Sequence, residues 1–163
     1  MIVLSFVEAV EDVDVDKLNQ LLGELTRSSV PPKITPVALR QCFRNPNFHL
    51  CVATEREKPP PQNIVGMATI FFQRNLSGWL AEIHDVVVDE AYRGKHIGER
   101  LIDMLLQKAR ERARTHNEKI NLFLTSNPER VAANGLYKKK GFLLIATALG
   151  EEGTNLYEMI VTP

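Results

Sequence analysis

Ile83-His84-Asp85-Val86-Val87-Val88, then Tyr92-Arg93-Gly94-Lys95-His96-Ile97-Gly98, then Ile97, Leu101, Met104, Leu105 and Ala109 at helical spacing: this run carries the fold. An apolar strand enters a glycine-bearing basic turn, and the turn opens an amphipathic helix. That order aims unpaired backbone N–H groups and the positive end of a helix dipole at one point. Such a point holds phosphate without help from any side chain. Arg93 and Lys95 add charge-assisted donors beside it.

Two familiar phosphate loops do not fit. A Walker loop needs G-x-x-x-x-G-K-[S/T], whereas Gly94 and Gly98 are misspaced and Glu99 follows. The dinucleotide fingerprint G-x-G-x-x-G is also absent. The segment resembles motif A of the GNAT superfamily of N-acetyltransferases, [Q/R]-x-x-G-x-[G/A], with Arg93 and Gly98 in the first and last places. His96 stands where the family most often has glycine. A second block, Ala133-Asn134-Gly135-Leu136-Tyr137-Lys138-Lys139-Lys140-Gly141-Phe142, resembles motif B, A-x-x-L-Y-x-x-x-G-F, without a gap. Both motifs occur in order, with a helix and a strand between them, and the resemblance covers residues 64–161.

At 163 residues, 44% apolar and 25% charged, the chain reads as one domain, residues 1–163, able to bury a core of its own. Lys plus Arg equals Asp plus Glu at 20 each, so nothing general draws it to nucleic acid or acidic membranes, and any basic site is local. Cys42 and Cys51 lack metal-like spacing and read as reduced thiols of a cytoplasmic protein. The start Met1-Ile2-Val3-Leu4-Ser5-Phe6-Val7-Glu8 has no basic n-region and reads as no signal peptide. No apolar run reaches a membrane span, so no membrane partner is expected.

Working outward, residues 2–9 predict a strand. Asp12 or Asp14 then caps a helix carrying Leu18, Leu21, Leu22 and Leu25, stopped by Pro31-Pro32. Thr35-Pro36 opens a second helix through Phe43. Strands follow at 48–54, 64–73 and 79–88, the last two joined as a hairpin by Asn75 to Gly78; residues 55–62, with Pro59-Pro60-Pro61, form a loop. After the long helix from Ile97 come a strand at 119–125, a helix capped by Asn127 with Pro128 at its first position, and strands at 142–148 and 156–161. Gly141 suits a left-handed helix end. Helical crossovers imply parallel strand neighbours. With the resemblance, the expected fold is α+β (mixed α/β): a central, twisted, mostly antiparallel sheet of about seven strands with helices on both faces.

The resemblance implies acetyl-CoA as co-substrate, bound by Val86, Val87, Val88, Arg93, Gly94, Lys95, His96, Ile97, Gly98, Asn127, Asn134 and Tyr137. Backbone groups of 86–88 would pair with pantetheine and supply an oxyanion donor, while the three valine side chains pack. Tyr137 matches the tyrosine that protonates the departing thiolate in many relatives. A phenol, with a reference pKa of about 10, holds a proton that a thiol of about 8.5 accepts. Asn134, one helical turn before Tyr137, resembles an asparagine bonding the pantetheine amide. The attacking ammonium must lose a proton, and Glu82 and His84 alternate onto one strand face, opposite Asp85, as candidate bases.

Lys108, Arg110, Arg112, Arg114 and Lys138-Lys139-Lys140 lie near helix C-termini, where cations are favourable without a ligand, and no aromatic interleaving accompanies them. No nucleic-acid partner is therefore expected. His49, His84, His96 and His116 lack ligand spacing, so no metal is expected. The expected activity is acetyl transfer from acetyl-CoA to a primary amine, on a small molecule or a peptide, in a ternary complex. Contacts to the acceptor are expected from residues 30–48 and 150–153. A non-catalytic CoA-binding module and a protein-lysine or N-terminal acetyltransferase stay open as alternatives, and a homodimer as a partner state.

Overall fold

The computed structural model describes residues 1–25, 30–59, 63–151 and 153–163. Residues 60–62 of the expected 55–62 loop, which include Pro60 and Pro61 of its proline tract, and Glu152 of the 150–153 loop lie outside them. In chain order the elements are β1 (Ile2–Phe6), a 3-10 turn (Val10–Asp12), α1 (Val15–Leu25), α2 (Pro36–Phe43), β2 (Phe48–Glu55), β3 (Ile64–Asn75) and β4 (Gly78–Val88). A second 3-10 turn (Glu90–Tyr92), α3 (Ile97–His116), β5 (Ile120–Ser126), α4 (Val131–Lys139), β6 (Leu143–Leu149) and β7 (Thr154–Val161) complete it. The seven strands form one mostly antiparallel sheet in the order β1-β2-β3-β4-β5-β7-β6, an α+β arrangement.

The chain divides into two compact units, residues 1–71 with 85–106 and residues 72–84 with 107–163. In the first, Asp14 caps α1: its carboxylate accepts from the Asp16 N–H at 3.1 Å and its carbonyl from Leu18. Asp12 instead accepts from the Ala9 N–H. Thr35 caps α2, its hydroxyl accepting from the Ala38 N–H at 3.1 Å with Pro36 at the first position. Leu18 and Leu21 of α1 and Leu39 of α2 are buried among Leu50, Val52, Met67 and Val87. The opposite face of β3 meets α3: a Cβ on Gly66 would lie 3.4 Å from Leu101 and 3.1 Å from the Val87 carbonyl oxygen, so glycine lets strand and helix close together. Helices thus cover both faces of β3.

In the second unit β4 pairs parallel with β5 over Trp79–Ile83 and Ile120–Leu124, as the crossover through α3 requires. The crossover through α4 ends differently. β7 pairs antiparallel with both β5 and β6, so it stands between the two strands that α4 connects, and β6 is not the adjacent parallel partner of β5 that this crossover implied. The start of α4 also departs from expectation. Asn127 does not cap it. Its carboxamide oxygen accepts from the Glu129 N–H at 2.9 Å, a local turn that postpones the helix to Val131. Gly141, at φ 93°, ends α4 in the left-handed conformation expected of it. Arg112 lies over Phe72 at 4.6 Å and over Trp79 at 5.3 Å, so this cation of the α3 basic row serves packing.

Candidate active site

The turn between β4 and α3 is set by three residues. Asp89 caps the 3-10 turn, accepting from the Ala91 N–H at 3.1 Å, and accepts from Lys17 of α1 at 2.9 Å. Burial works to raise the Asp89 pKa, but the bonds from Lys17 and the Ala91 N–H outweigh it and hold the carboxyl below its usual range. Arg93 donates from Nε to the Val88 carbonyl at 3.1 Å and from Nη2 to Glu24 of α1 at 2.8 Å. The same Glu24 carboxylate accepts from the Glu90 N–H at 3.0 Å. Lys95 lies 4.7 Å from the centre of the Tyr92 ring.

Beyond Arg93 the backbone winds through left-handed conformations at Gly94 (φ 78°) and His96 (φ 58°). The first bond into α3 runs from the Arg100 N–H to the His96 carbonyl at 3.1 Å. Among the described residues, the N–H groups of Gly94, Lys95, His96, Ile97 and Gly98 donate to no protein acceptor. These unpaired donors stand at the mouth of a helix of 20 residues. The arrangement suits an anion with several oxygens. The His96 ring is turned away to Glu99, Nδ1 to carboxylate 3.2 Å, with its side chain 78% exposed.

In the other unit, Tyr137 of α4 is buried and packs edge-on against Phe142 (6.2 Å between centroids) and Tyr157 (5.8 Å). Among the described residues its hydroxyl makes no hydrogen bond with another side chain or the backbone. Burial raises its pKa from the ordinary phenol value, against a smaller opposing effect of Arg130. Asn134, also buried, donates to the carbonyls of Asn127 and Arg130, each at 2.9 Å. Its carboxamide oxygen accepts from the Tyr157 hydroxyl at 2.7 Å and from Asn155 at 3.2 Å. Both amide hydrogens and both oxygen lone pairs are thereby used.

The acetyltransferase (GNAT) family profile matches residues 15–142, a span that holds the turn and all of α4. The chain belongs to that family. Solved GNAT structures share its fold. An acetyltransferase of the GNAT family from Streptococcus pneumoniae is 18% identical, with TM-score 0.75 over 99% of this chain and 100% of its own. Arabidopsis thaliana NAA60 in complex with acetyl-CoA is 16% identical, with TM-score 0.71 over 98% and 99%. A Trypanosoma brucei acetyltransferase is 26% identical, with TM-score 0.66 over 90% and 95%. Comparison with curated proteins returned no match.

Within this GNAT chain, the site residues expected from sequence fall into four groups. Arg93, Gly94, Lys95, His96, Ile97 and Gly98 make the turn, but the Arg93 guanidinium is engaged by the protein itself, and the donors that remain open are main-chain. Val87 is buried in the core and the Val88 carbonyl is taken by Arg93, so that part of the strand end is already committed to structure. Asn134 holds α4 to β7, and a bond from it to pantetheine is open only if one of its four present contacts is displaced. Glu82 and His84 do share a face, 2.9 Å apart and about half exposed. Asp85 adopts φ 55° and accepts from Thr69 at 3.0 Å, so strand alternation stops counting at that residue.

Glu24, Tyr157 and Asn155 are the partners of these candidate residues that sequence inspection passed over. Asp89 carried a legible signal, an N-cap type just before Glu90-Ala91-Tyr92. Glu24 carried none, because its partner Arg93 lies 69 positions away. An open cavity of about 540 Å³ lies beside the start of α1 and α2, lined in part by Glu11, Asp14, Asp16, Lys33 and Arg40. Among the described residues no three His, Cys, Asp or Glu side chains gather as a metal site would require, and no helix is long and apolar enough to cross a membrane.

Proposed function

We propose that this GNAT chain is an acetyl-CoA-dependent N-acetyltransferase acting on a primary amine. The observation that carries the proposal is the row of open N–H groups from Gly94 to Gly98 at the start of α3. Their natural occupant is the pyrophosphate of CoA, and the acetyl-CoA complex of NAA60, a protein of like fold, supports that choice. Main-chain groups of Val86, Val87 and Val88, other than the Val88 carbonyl that Arg93 already holds, receive pantetheine and polarise the thioester carbonyl, where a main-chain donor stabilises the oxyanion.

In the proposed reaction the amine nitrogen attacks the thioester carbon directly. The tetrahedral intermediate collapses with loss of CoA thiolate, and Tyr137 gives the thiolate its proton. Burial keeps the phenol protonated at neutral pH, which is the state an acid needs. The Glu82–His84 pair takes the proton of the incoming ammonium, directly or through water. Asn134 keeps the helix of Tyr137 seated on β7. The acceptor enters from residues 30–48. The cavity beside α1 and α2 is lined by Lys33 and Arg40 as well as by Glu11, Asp14 and Asp16, with Arg40 3.9 Å from Glu11, so both an ammonium and an anionic group of an acceptor would find partners there.

Calorimetry with acetyl-CoA, followed by free-thiol release against a panel of small amines and peptides, tests the proposal. Binding with amine-dependent thiol release is the expected result. Binding without release from any amine favours the non-catalytic CoA module, and no binding removes the turn as a cofactor site.

A further inference from the structure

The parallel pairing of β4 with β5 ends at Ile83, opposite Leu124. Two residues later Asp85 takes φ 55°, a left-handed conformation inside a strand. Aspartate tolerates that region better than most residues, but still at a cost. Such an outlier persists where neighbouring contacts fix it, and outliers of this kind gather at sites of function.

The contact that fixes Asp85 comes from β3. Thr69 is 7% exposed, and its hydroxyl donates to the Asp85 carboxylate at 3.0 Å. Thr69 pairs with Leu50 of β2, and Leu50 packs in one cluster with Leu39 of α2, so Asp85 is drawn to the face that α2 covers. Val87, two residues on, lies in that cluster too, so the alternation of faces is regular again from Asp85 onward. Cys42, in the last turn of α2, reports the same placement: burial raises its thiol pKa, and the Asp85 carboxylate raises it further.

The stretch that Asp85 starts is Val86–Val88, which the acetyl-transfer reading gives to the thioester. Its far end is held as well, because the Asp89 N–H donates to the Val65 carbonyl of β3 at 2.9 Å. The strength of a hydrogen bond to a developing oxyanion depends steeply on distance and angle, so a donor on a strand fixed at both ends is worth more than one free to drift. A valine in place of Thr69 would fill nearly the same space in the core. Only a hydroxyl there can hold the carboxylate.

We propose that the Thr69–Asp85 hydrogen bond fixes the course of β4 and thereby aims the main-chain donor of Val86–Val88 at the thioester carbonyl, which makes Thr69 and Asp85 positioning residues for acetyl transfer. The proposal rests on the acetyl-CoA reading of that strand end. Difference infrared spectra of acetyl-CoA labelled with carbon-13 at the thioester carbonyl test it without an acceptor. Bound to the wild type, the carbonyl band should move to lower frequency. Thr69→Val should lose most of that displacement while the acetyl-CoA dissociation constant moves by less than about threefold and the urea midpoint stays close to that of the wild type. Thr69→Ser, which keeps the hydroxyl, should retain it. Asp85→Gly, which permits the same φ without a carboxylate, should lose it, and Asp85→Asn, which still offers an acceptor, should keep it. With an acceptor from the amine panel, kcat of Thr69→Val should fall about tenfold or more with little change in KM for acetyl-CoA. Failure of the wild type to bind acetyl-CoA, or binding without a displaced band, overturns the underlying reading and this proposal with it. A displaced band that survives in both Thr69→Val and Asp85→Gly overturns this proposal alone. Loss in Asp85→Asn equal to that in Asp85→Gly also overturns it, since charge and not the hydrogen bond would then be what Asp85 supplies.

Discussion

The turn from Tyr92 to Gly98 and the cluster around Tyr137 are both site candidates, yet they are made of different materials. The turn offers main-chain N–H groups, and two of its side chains are engaged by the protein: Arg93 by Glu24 and Val88, His96 by Glu99. The cluster offers one side-chain hydroxyl, and its main chain is spent inside a helix. In the turn, conformation carries the function, so the residues that matter are those that permit positive φ. Around Tyr137, a functional group carries it, so what matters is the packing and hydrogen bonding that keep the ring in place. Mutations should therefore act differently in the two regions. In the turn they should change affinity. In the cluster they should change turnover or stability.

The largest effect is expected at Asn134. Asn134→Ala removes four hydrogen bonds and leaves the buried Tyr157 hydroxyl without an acceptor, which should cost about 3 kcal/mol, readable as a lower urea midpoint. If stability is unchanged while acetyl-CoA affinity falls, Asn134 is a ligand contact and the proposed division of labour fails. Tyr137→Phe keeps the ring and removes only the hydroxyl. Turnover should fall by roughly tenfold to a hundredfold, the low end for general acid catalysis, because a thiolate is already a fair leaving group. The acetyl-CoA dissociation constant should move by less than about threefold. Wild-type turnover would return Tyr137 to packing alone; the assay uses whichever acceptor the amine panel identifies.

Arg93→Glu removes the ties to Val88 and Glu24 and places a further carboxylate beside Glu24 and the phosphate site. Cofactor binding should weaken about tenfold or more by calorimetry. An unaffected affinity would clear the turn of any role. His96→Gly should act in the opposite sense. The residue sits at φ 58°, where a side chain is strained by about 1 kcal/mol or more, so thermal stability should rise slightly and cofactor affinity hold or improve. A collapse of binding would mean that the imidazole touches the ligand.

The smallest effect concerns pH. Because the Tyr137 pKa is raised in the folded chain, the stabilising contribution of the neutral phenol is complete below the unfolded value of about 10 and fades as pH rises toward the folded one. Turnover should therefore show no alkaline decline assignable to Tyr137 between pH 7 and about 9. A decline in that interval that vanishes in Tyr137→Phe would show the phenol to be depressed instead.

Several features were legible in the amino-acid sequence because their causes are local. Thr35-Pro36 opened α2 where an N-cap and a first-turn proline should place it, and Gly141 closed α4 at positive φ. The strand–turn–helix order around Arg93 was readable for the same reason, since a glycine and a helical apolar stripe need no distant partner. Asn127 misled because an asparagine before proline suits either a helix cap or a tight turn, and here its side chain reaches Glu129 first.

The sequence by itself determined the family, the type and order of nearly every element, and the stretch that presents open backbone donors, because periodicity, capping and motif spacing act over a few residues. Tertiary structure alone decided that β7 pairs between β5 and β6, that Glu24 holds Arg93, and that Asn134 is filled by Tyr157 and Asn155. Each of these joins residues more than 20 positions apart, or strands whose neighbours are chosen by the burial of a whole face. No local pattern encodes such a pairing, since the free energy that selects it is gained only when the sheet and its helices have come together.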